Sequence, residues 1–169
     1  MTENRVFKYN FSRKVLFWGV LQIIVVGLLG YWFYTLYEGG YISAWFASFI
    51  GALFALQTLS IPRKVEVTPH KVSIVCVLDL TEINIADIVK IRKVNPRTQR
   101  WLLPLMGAYG FFGYYGLFFD LRRFEKVKMY ATEWQYFVEI VDIYDERFYI
   151  SCRERDALIK YVQSQRTKL

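Results

Sequence analysis

Two long stretches without a charged residue, with only Glu38 between them, constrain this chain more than any other feature. Val15 to Tyr37 ("VLFWGVLQIIVVGLLGYWFYTLY") and Gly39 to Pro62 ("GGYISAWFASFIGALFALQTLSIP") each carry no Asp, Glu, Lys or Arg. Each exceeds the roughly 20 residues that an α-helix needs to cross the hydrocarbon core of a bilayer. The pattern predicts two transmembrane helices, at 15–37 and 41–61, preceded by a cytoplasmic N-terminal segment at 1–14. A connection of three residues, "EGG" at Glu38–Gly40, makes them a tight antiparallel hairpin whose ends lie on one side of the membrane. Arg5, Lys8, Arg13 and Lys14 precede the first span, and Arg63 and Lys64 follow the second. By the positive-inside rule, both termini of this multi-pass inner-membrane protein are cytoplasmic. A cleaved signal peptide fits badly: the apolar run is longer than a signal core, a small-residue cleavage site is missing, and a second span follows at once.

Within the spans, Gln22 is the one strongly polar side chain deep in the first helix, and its expected role is a hydrogen bond across a helix pair. Gly27, Gly30 and Gly51, with Ala44, Ala47, Ser48, Ala52 and Ala55, give both helices small-residue faces. Such faces let helix backbones approach closely, within the hairpin or between copies of the chain.

After Pro62 the pattern changes to the alternation of a β-domain. "KVEVTPHKVSIVCVLDL" alternates, turns at "TPH" and alternates again, which reads as a hairpin. "TEINIADIVKIRKV" reads as a short turn and then a strand with Ile88, Ile91 and Val94 toward the core. Lys126–Thr132 and Tyr136–Tyr144 read as two more strands, and "DER" turns the chain into "FYISC". Ser151 and Glu154 have the spacing of a capping box, followed by an apolar helical stripe at Leu158, Tyr161 and Val162. The reading is six or seven strands curled into an antiparallel sheet, plugged by a terminal helix.

The strand order, "TEINIADI", the Gly/aromatic stretch "GAYGFFGYYG", the following "YAT" and the ending "ISCRERDALIKYV" together resemble bacterial PH-like (pleckstrin-homology-like) domain proteins. A subgroup of these carries a similar "GxFGYFG" insert. The resemblance covers roughly residues 62–166. It implies an α+β membrane protein in which a two-helix transmembrane hairpin leads into a PH-like antiparallel β-barrel with a C-terminal α-helix, the domain spanning 62–169 with its insert at 95–123. It also implies a binding or scaffolding module rather than a defined activity. Eukaryotic members bind phosphoinositides through basic residues around the first hairpin, often as K-x-R in the second strand. Here that strand reads "HKVSIVCV", with Lys71 alone.

Catalytic chemistry has no visible machinery. His70 is the single histidine and sits in a predicted turn beside Pro69, so a His-based triad or a His-rich metal site cannot be assembled. Cys76 and Cys152 read as buried free thiols. No phosphate-cradling P-loop or G-x-S-x-G elbow occurs, and neither a cofactor nor a metal is expected. The formal net charge of +7, with aromatic residues at 19%, also fits single-strand nucleic-acid binding. A tether to an anionic inner leaflet explains the same charge more simply, so membrane lipids, not nucleic acid, are the expected partner.

The insert itself, "GAYGFFGYYGLFF", lies in a stretch from Trp101 to Phe119 that is uncharged for almost a span length. It is not expected to cross the membrane, because glycines and Pro104 oppose a helix and basic clusters flank it on both sides. Three placements stay open: packed as core, dipped into the inner-leaflet interface, or presented to a protein partner or a second copy. The candidate surface is Trp101, Tyr109, Phe111, Phe112, Tyr114 and Tyr115, with Arg97, Arg100, Arg122 and Arg123. The alternatives to a lipid- or protein-binding scaffold are a subunit of a membrane transport or envelope-assembly complex and an unrecognised enzyme.

Overall fold

The computed structural model describes residues 4–36 and 41–167. The apolar runs form two helices, α1 (Arg13–Leu36) and α2 (Tyr41–Leu59). Their connection, Tyr37–Gly40, lies outside the described residues. Among those described, α1 is the one helix long and apolar enough to cross a membrane; α2 is apolar over a shorter length. The helices lie side by side and antiparallel. Phe33 stacks on Phe46 with ring centroids 4.8 Å apart, and further along, Gln22 and Val26 share a cavity of about 290 Å³ with Ile50, Leu53 and Phe54. Gly27, Gly30 and Gly51 face open space, so these three glycines are not what joins the pair.

Ten strands are present among the described residues, and the first of them carried no sequence signal. β1 (Arg5–Lys8) pairs antiparallel with β2 (Pro62–Val67), placing Phe7 opposite Val65. The N-terminal segment is therefore an edge strand of the domain rather than a tail. Four residues with one buried side chain are too short to show periodicity. β3 (Lys71–Cys76) and β4 (Leu80–Asn84) complete a first sheet in the order β1-β2-β3-β4. "TEIN" is thus strand, and the turn falls later, at the 3-10 segment Ile85–Asp87.

The second sheet contains β5 (Ile88–Val94), β6 (Leu102–Tyr109), β7 (Tyr114–Asp120), β8 (Glu125–Ala131), β9 (Phe137–Asp142) and β10 (Arg147–Ser151), in the order β5-β9-β10-β8-β7-β6. Two expectations are corrected here. No ladder joins the two sheets among the described residues, so they form a sandwich-like pair and not a closed barrel. The ladders are also not all antiparallel, because β10 pairs parallel with β8 while it pairs antiparallel with β9. The chain leaves β8, skips one strand position to lay down β9, and β10 then returns into the gap.

The final helix, α3 (Arg155–Arg166), buries Leu158 and Val162. They enter a core made by Val65, Val67 and Ile74 of the first sheet and Ile140 and Ile150 of the second. The expected capping box does not form. Glu154 holds the cap position without a side-chain hydrogen bond. Ser151 stays in β10, where pairing with Phe137 retains it, and its Oγ accepts the backbone N–H of Thr132 at 2.9 Å.

Both helices grow directly out of the paired strands β1 and β2. Tyr9 N–H donates to the Arg63 carbonyl at 3.2 Å, and Leu78 N–H donates to the Leu59 carbonyl at 3.0 Å. Thr132 Oγ1 in the second sheet's β8–β9 connection donates to the Asn10 carbonyl at 2.6 Å. The roots of α1 and α2 are therefore fixed by backbone pairing.

Cys76 and Cys152 are free and buried, as read from the sequence. Burial pushes the Cys76 thiol from its ordinary value of 9.0 up to about 11. Burial also raises Cys152 and the core hydroxyl of Tyr9. The unfolded chain releases these protons at lower pH than the folded one, so the folded state binds more protons through that range. Stability from these groups is expected to be fully present below pH 9.0 and to fall as pH rises through about 11. A thermal-melt series across that range checks the sign, and a stability that rises there contradicts the burial of these groups.

Candidate functional site

The Gly/aromatic stretch is a β-hairpin made by β6 and β7 rather than an irregular insert. Three of its glycines leave no room for a side chain: Gly113, where a Cβ would meet the Ala131 carbonyl oxygen, and a pair within the strands. Gly107 and Gly116 face each other in register, with φ of +136° and +109°. A Cβ on Gly107 would run into the Tyr115 carbonyl oxygen, and one on Gly116 into that of Met106. The strands therefore approach more closely than side chains allow. Pro104 is accommodated because β6 is an edge strand. At the tip, Gly110 N–H donates to the Gly113 carbonyl at 2.8 Å.

That tip reaches α1 and α2. Phe111 is buried and meets Phe54 of α2 edge-to-face at 5.1 Å. The Phe112 ring lies over Gly19 of α1, where an added Cβ would come within 3.1 Å of it. Tyr115, also buried, donates its hydroxyl hydrogen to the Gln57 carbonyl at 2.7 Å. Ala108, Phe111 and Tyr115 form a small core of their own, with Phe54, Ile61 and Phe112 packed against it. Tyr109 and Tyr114 contact each other edge-on at 5.1 Å and both meet Trp134, and Tyr109 also lines the cavity beside Gln22 and Phe54. Tyr109 remains about half exposed, as do Leu103 and Leu105 along the same strand.

The basic residues lie at the other end of the hairpin. Trp101 is exposed with the Arg122 guanidinium 5.8 Å from its ring centroid. Arg97 is exposed, and its backbone N–H donates to Asn95 Oδ1 at 3.1 Å. Arg123 donates to Glu139 at 3.2 Å. Arg100 falls in the same 3-10 segment as Arg97, and its side chain lies outside the described residues. The ten residues singled out from the sequence thus divide between two places. Phe111, Phe112 and Tyr115, with the Tyr109–Tyr114 pair beside them, sit near the helices; Trp101 and the arginines sit at the far ends of β6 and β7. Six residue steps separate Tyr114 from Asp120, roughly 20 Å at strand rise.

A family model described as "Bacterial PH domain" matches residues 63–166. The chain belongs to that family. No curated protein and no solved structure matches it. In this bacterial PH domain Lys71, the residue that stands where a K-x-R pattern is expected, is engaged by Glu82 at 2.5 Å on the neighbouring strand. Among the described residues, no group of three or more His, Cys, Asp or Glu side chains comes together as a metal site.

Several residues that organise the site carried no usable sequence signal. Gly19, Phe54 and Gln57 read as ordinary helix positions, and only the fold brings the hairpin tip to them. Glu139 falls in the segment read only as the strand Tyr136–Tyr144, and its side chain is fully buried. Its partner Arg92 stands directly opposite in register on β5, a pairing that depends on which strands become neighbours.

Two substitutions test the docking. Tyr115→Phe removes one hydrogen bond and is expected to lower stability by about 1 kcal/mol. Gly107→Ala is expected to cost more, since it adds both a clash and a strained φ. Thermal or urea melts of the full chain compare the two; equal stability of Gly107→Ala and wild type contradicts the close strand approach.

Proposed function

We propose that this protein is a non-enzymatic, membrane-anchored binding module. Its α1–α2 hairpin crosses the inner membrane with both termini cytoplasmic, and its bacterial PH domain works against the inner leaflet. The family supports a binding or scaffold role. The observation that carries the membrane part is the docking of the Gly/aromatic tip on the helices. Gly19 lies six residues beyond Arg13, about 9 Å along the helix. With α1 across a bilayer, the Phe112 ring beside Gly19 sits within the inner-leaflet interface. Phe17, Trp18, Leu28, Leu29 and Trp45 are exposed on the helices, and lipid is the solvent that such surface requires.

In this reading the tip is core and membrane-dipping at once. Its buried rings pack on the anchor, while the exposed side of β6 continues the apolar surface outward through Tyr109, Leu105 and Leu103. Trp101 and the exposed basic residues supply the polar surroundings of the domain. Attraction to anionic lipid, roughly 1 kcal/mol per lysine or arginine near the surface, accounts for the basic balance of the chain. A protein partner or second copy on β6 is the competing occupant of the same edge.

Photo-crosslinking probes at Tyr109, Phe112 and Tyr115 in cells separate these outcomes. Tyr109 is expected to label lipid, and Phe112 and Tyr115 to give adducts within the chain to α1 and α2. A discrete protein adduct at Tyr109 instead favours the partner reading, and silence at all three sites defeats the surface role of the hairpin. Independently, a topology reporter fused after Leu169 is expected to report the cytoplasm; periplasmic activity there refutes the two-span arrangement.

A further inference from the structure

Glu139 is a charged side chain at the centre of β9 with no exposure to solvent. Burying a lone carboxylate is strongly unfavourable, so its surroundings must compensate the charge. They do so with three arginines and a tyrosine. Arg92 donates through Nε to Oε2. Arg123 Nη1 and Arg147 Nη1 donate to Oε1 at 3.2 and 3.3 Å, and the Tyr149 hydroxyl donates to the same oxygen at 3.1 Å. Four donors from three separate segments, β5, the β7–β8 turn and β10, engage the carboxylate. Arg147 also pairs with Glu125 at 2.8 Å. Arg92 and Arg123 have no second salt-bridge carboxylate among the described residues. Each keeps further guanidinium N–H groups, and each side chain is about 40% exposed, at 40% and 38%.

Both side chains line a cavity of about 320 Å³, whose walls are Arg92, Lys93, Asn95, Asp120, Arg122, Arg123 and Tyr149 together with Val94. Four cations therefore face one wall carboxylate, Asp120, and that carboxylate already accepts the Arg122 backbone N–H at 2.9 Å. Lys93 is paired with Asp156 of α3. Arg122 makes no salt bridge among the described residues. The result is a concave site in which the Glu139 floor fixes the orientation of two guanidinium groups, while a third, Arg122, is exposed with its guanidinium beside the Trp101 ring. Arginine forks of this kind match the oxygens of a phosphate group.

We propose that this pocket binds a phosphate-bearing anion that is soluble rather than part of a membrane lipid. The source follows from position: the cavity lies at the Asp120 end of β7, roughly 20 Å along the strand from the tip that docks on the helices. The pocket is built wholly from the second sheet and its connections, whereas the choice of a soluble source rests on the proposed membrane placement of α1 and α2. Glu139 is a positioning residue in it, holding Arg92 and Arg123 at fixed separation.

The test is calorimetric titration of inorganic pyrophosphate into the purified full chain in a zwitterionic detergent, beside dihexanoyl phosphatidic acid as a headgroup probe. Wild type is expected to bind pyrophosphate saturably. Arg122→Gln/Arg123→Gln, both at an exposed turn, is expected to bind about tenfold or more weakly, as loss of charge-assisted hydrogen bonds requires. The charge-matched Lys8→Gln/Lys64→Gln control is expected to bind as wild type does. Glu139→Gln adds a readout that a diffuse basic patch would not give: the patch gains net positive charge and would bind more tightly, whereas an organised pocket loses its floor and binds more weakly. A melt confirms that each variant is folded, and the Arg122/Arg123 pair alone decides the matter if Glu139→Gln is not. Absence of saturable pyrophosphate binding, an equal loss in the control, or binding of phosphatidic acid without pyrophosphate each overturns the proposal.

Discussion

The contact between the β6–β7 tip and the two apolar helices is the constraint on which the rest of this structure depends. β1 and β2 already root α1 and α2 in adjacent strands of the first sheet. The tip adds a second attachment from the far edge of the second sheet, through Phe111 on Phe54 and the Tyr115 hydroxyl on the Gln57 carbonyl. A helix pair held only at its roots would pivot about two short connections. Held from both sheets, it has a defined direction relative to the domain, so whatever surface the domain offers is presented at a fixed angle to the helix pair.

This explains why the hairpin is so rich in glycine and rings. Close approach of β6 and β7 at Gly107 and Gly116 narrows the ribbon, and the aromatic side chains then supply large contact areas from few residues with little rotamer freedom to lose. Gly19 completes the fit from the helix side, because a side chain there would meet the Phe112 ring. In the proposed reading, core packing and membrane proximity are two sides of one hairpin rather than competing descriptions of the stretch.

The charged side chains follow a different logic. Lys64–Glu66, Lys71–Glu82 and Lys128–Glu146 are partly exposed pairs on strands and edges, where an ion pair contributes little. Glu133, paired with Arg153, is also buried, and Glu139, with no exposure at all, is the extreme case, because its environment leaves no alternative to full compensation. The arginines gathered for that purpose come from β5, the β7–β8 turn and β10, and they leave the second sheet with a cationic concavity at the end away from the helices.

Much of the architecture was legible in the chain, for physical reasons that differ by element. Long uncharged runs mark α1 and α2, because transfer from water is set by composition alone. Alternation marks β2, β3 and β8, because each has one face in the core and one outside. β1 and β4 escaped, since so few residues hold too little pattern, and β6–β7 were seen as an insert because their glycines mask the period. The Ser151–Glu154 spacing was a true motif that β10 pairing overrode. By itself, the sequence determined the apolar helices, the β-domain and its closing helix, all of which rest on local periodicity and burial. Only the tertiary structure decided that β10 would enter between β9 and β8, that Phe112 would meet Gly19, and that three arginines would converge on Glu139. Those outcomes depend on which distant strands become neighbours, and that is fixed by the packing of the whole chain rather than by any one segment.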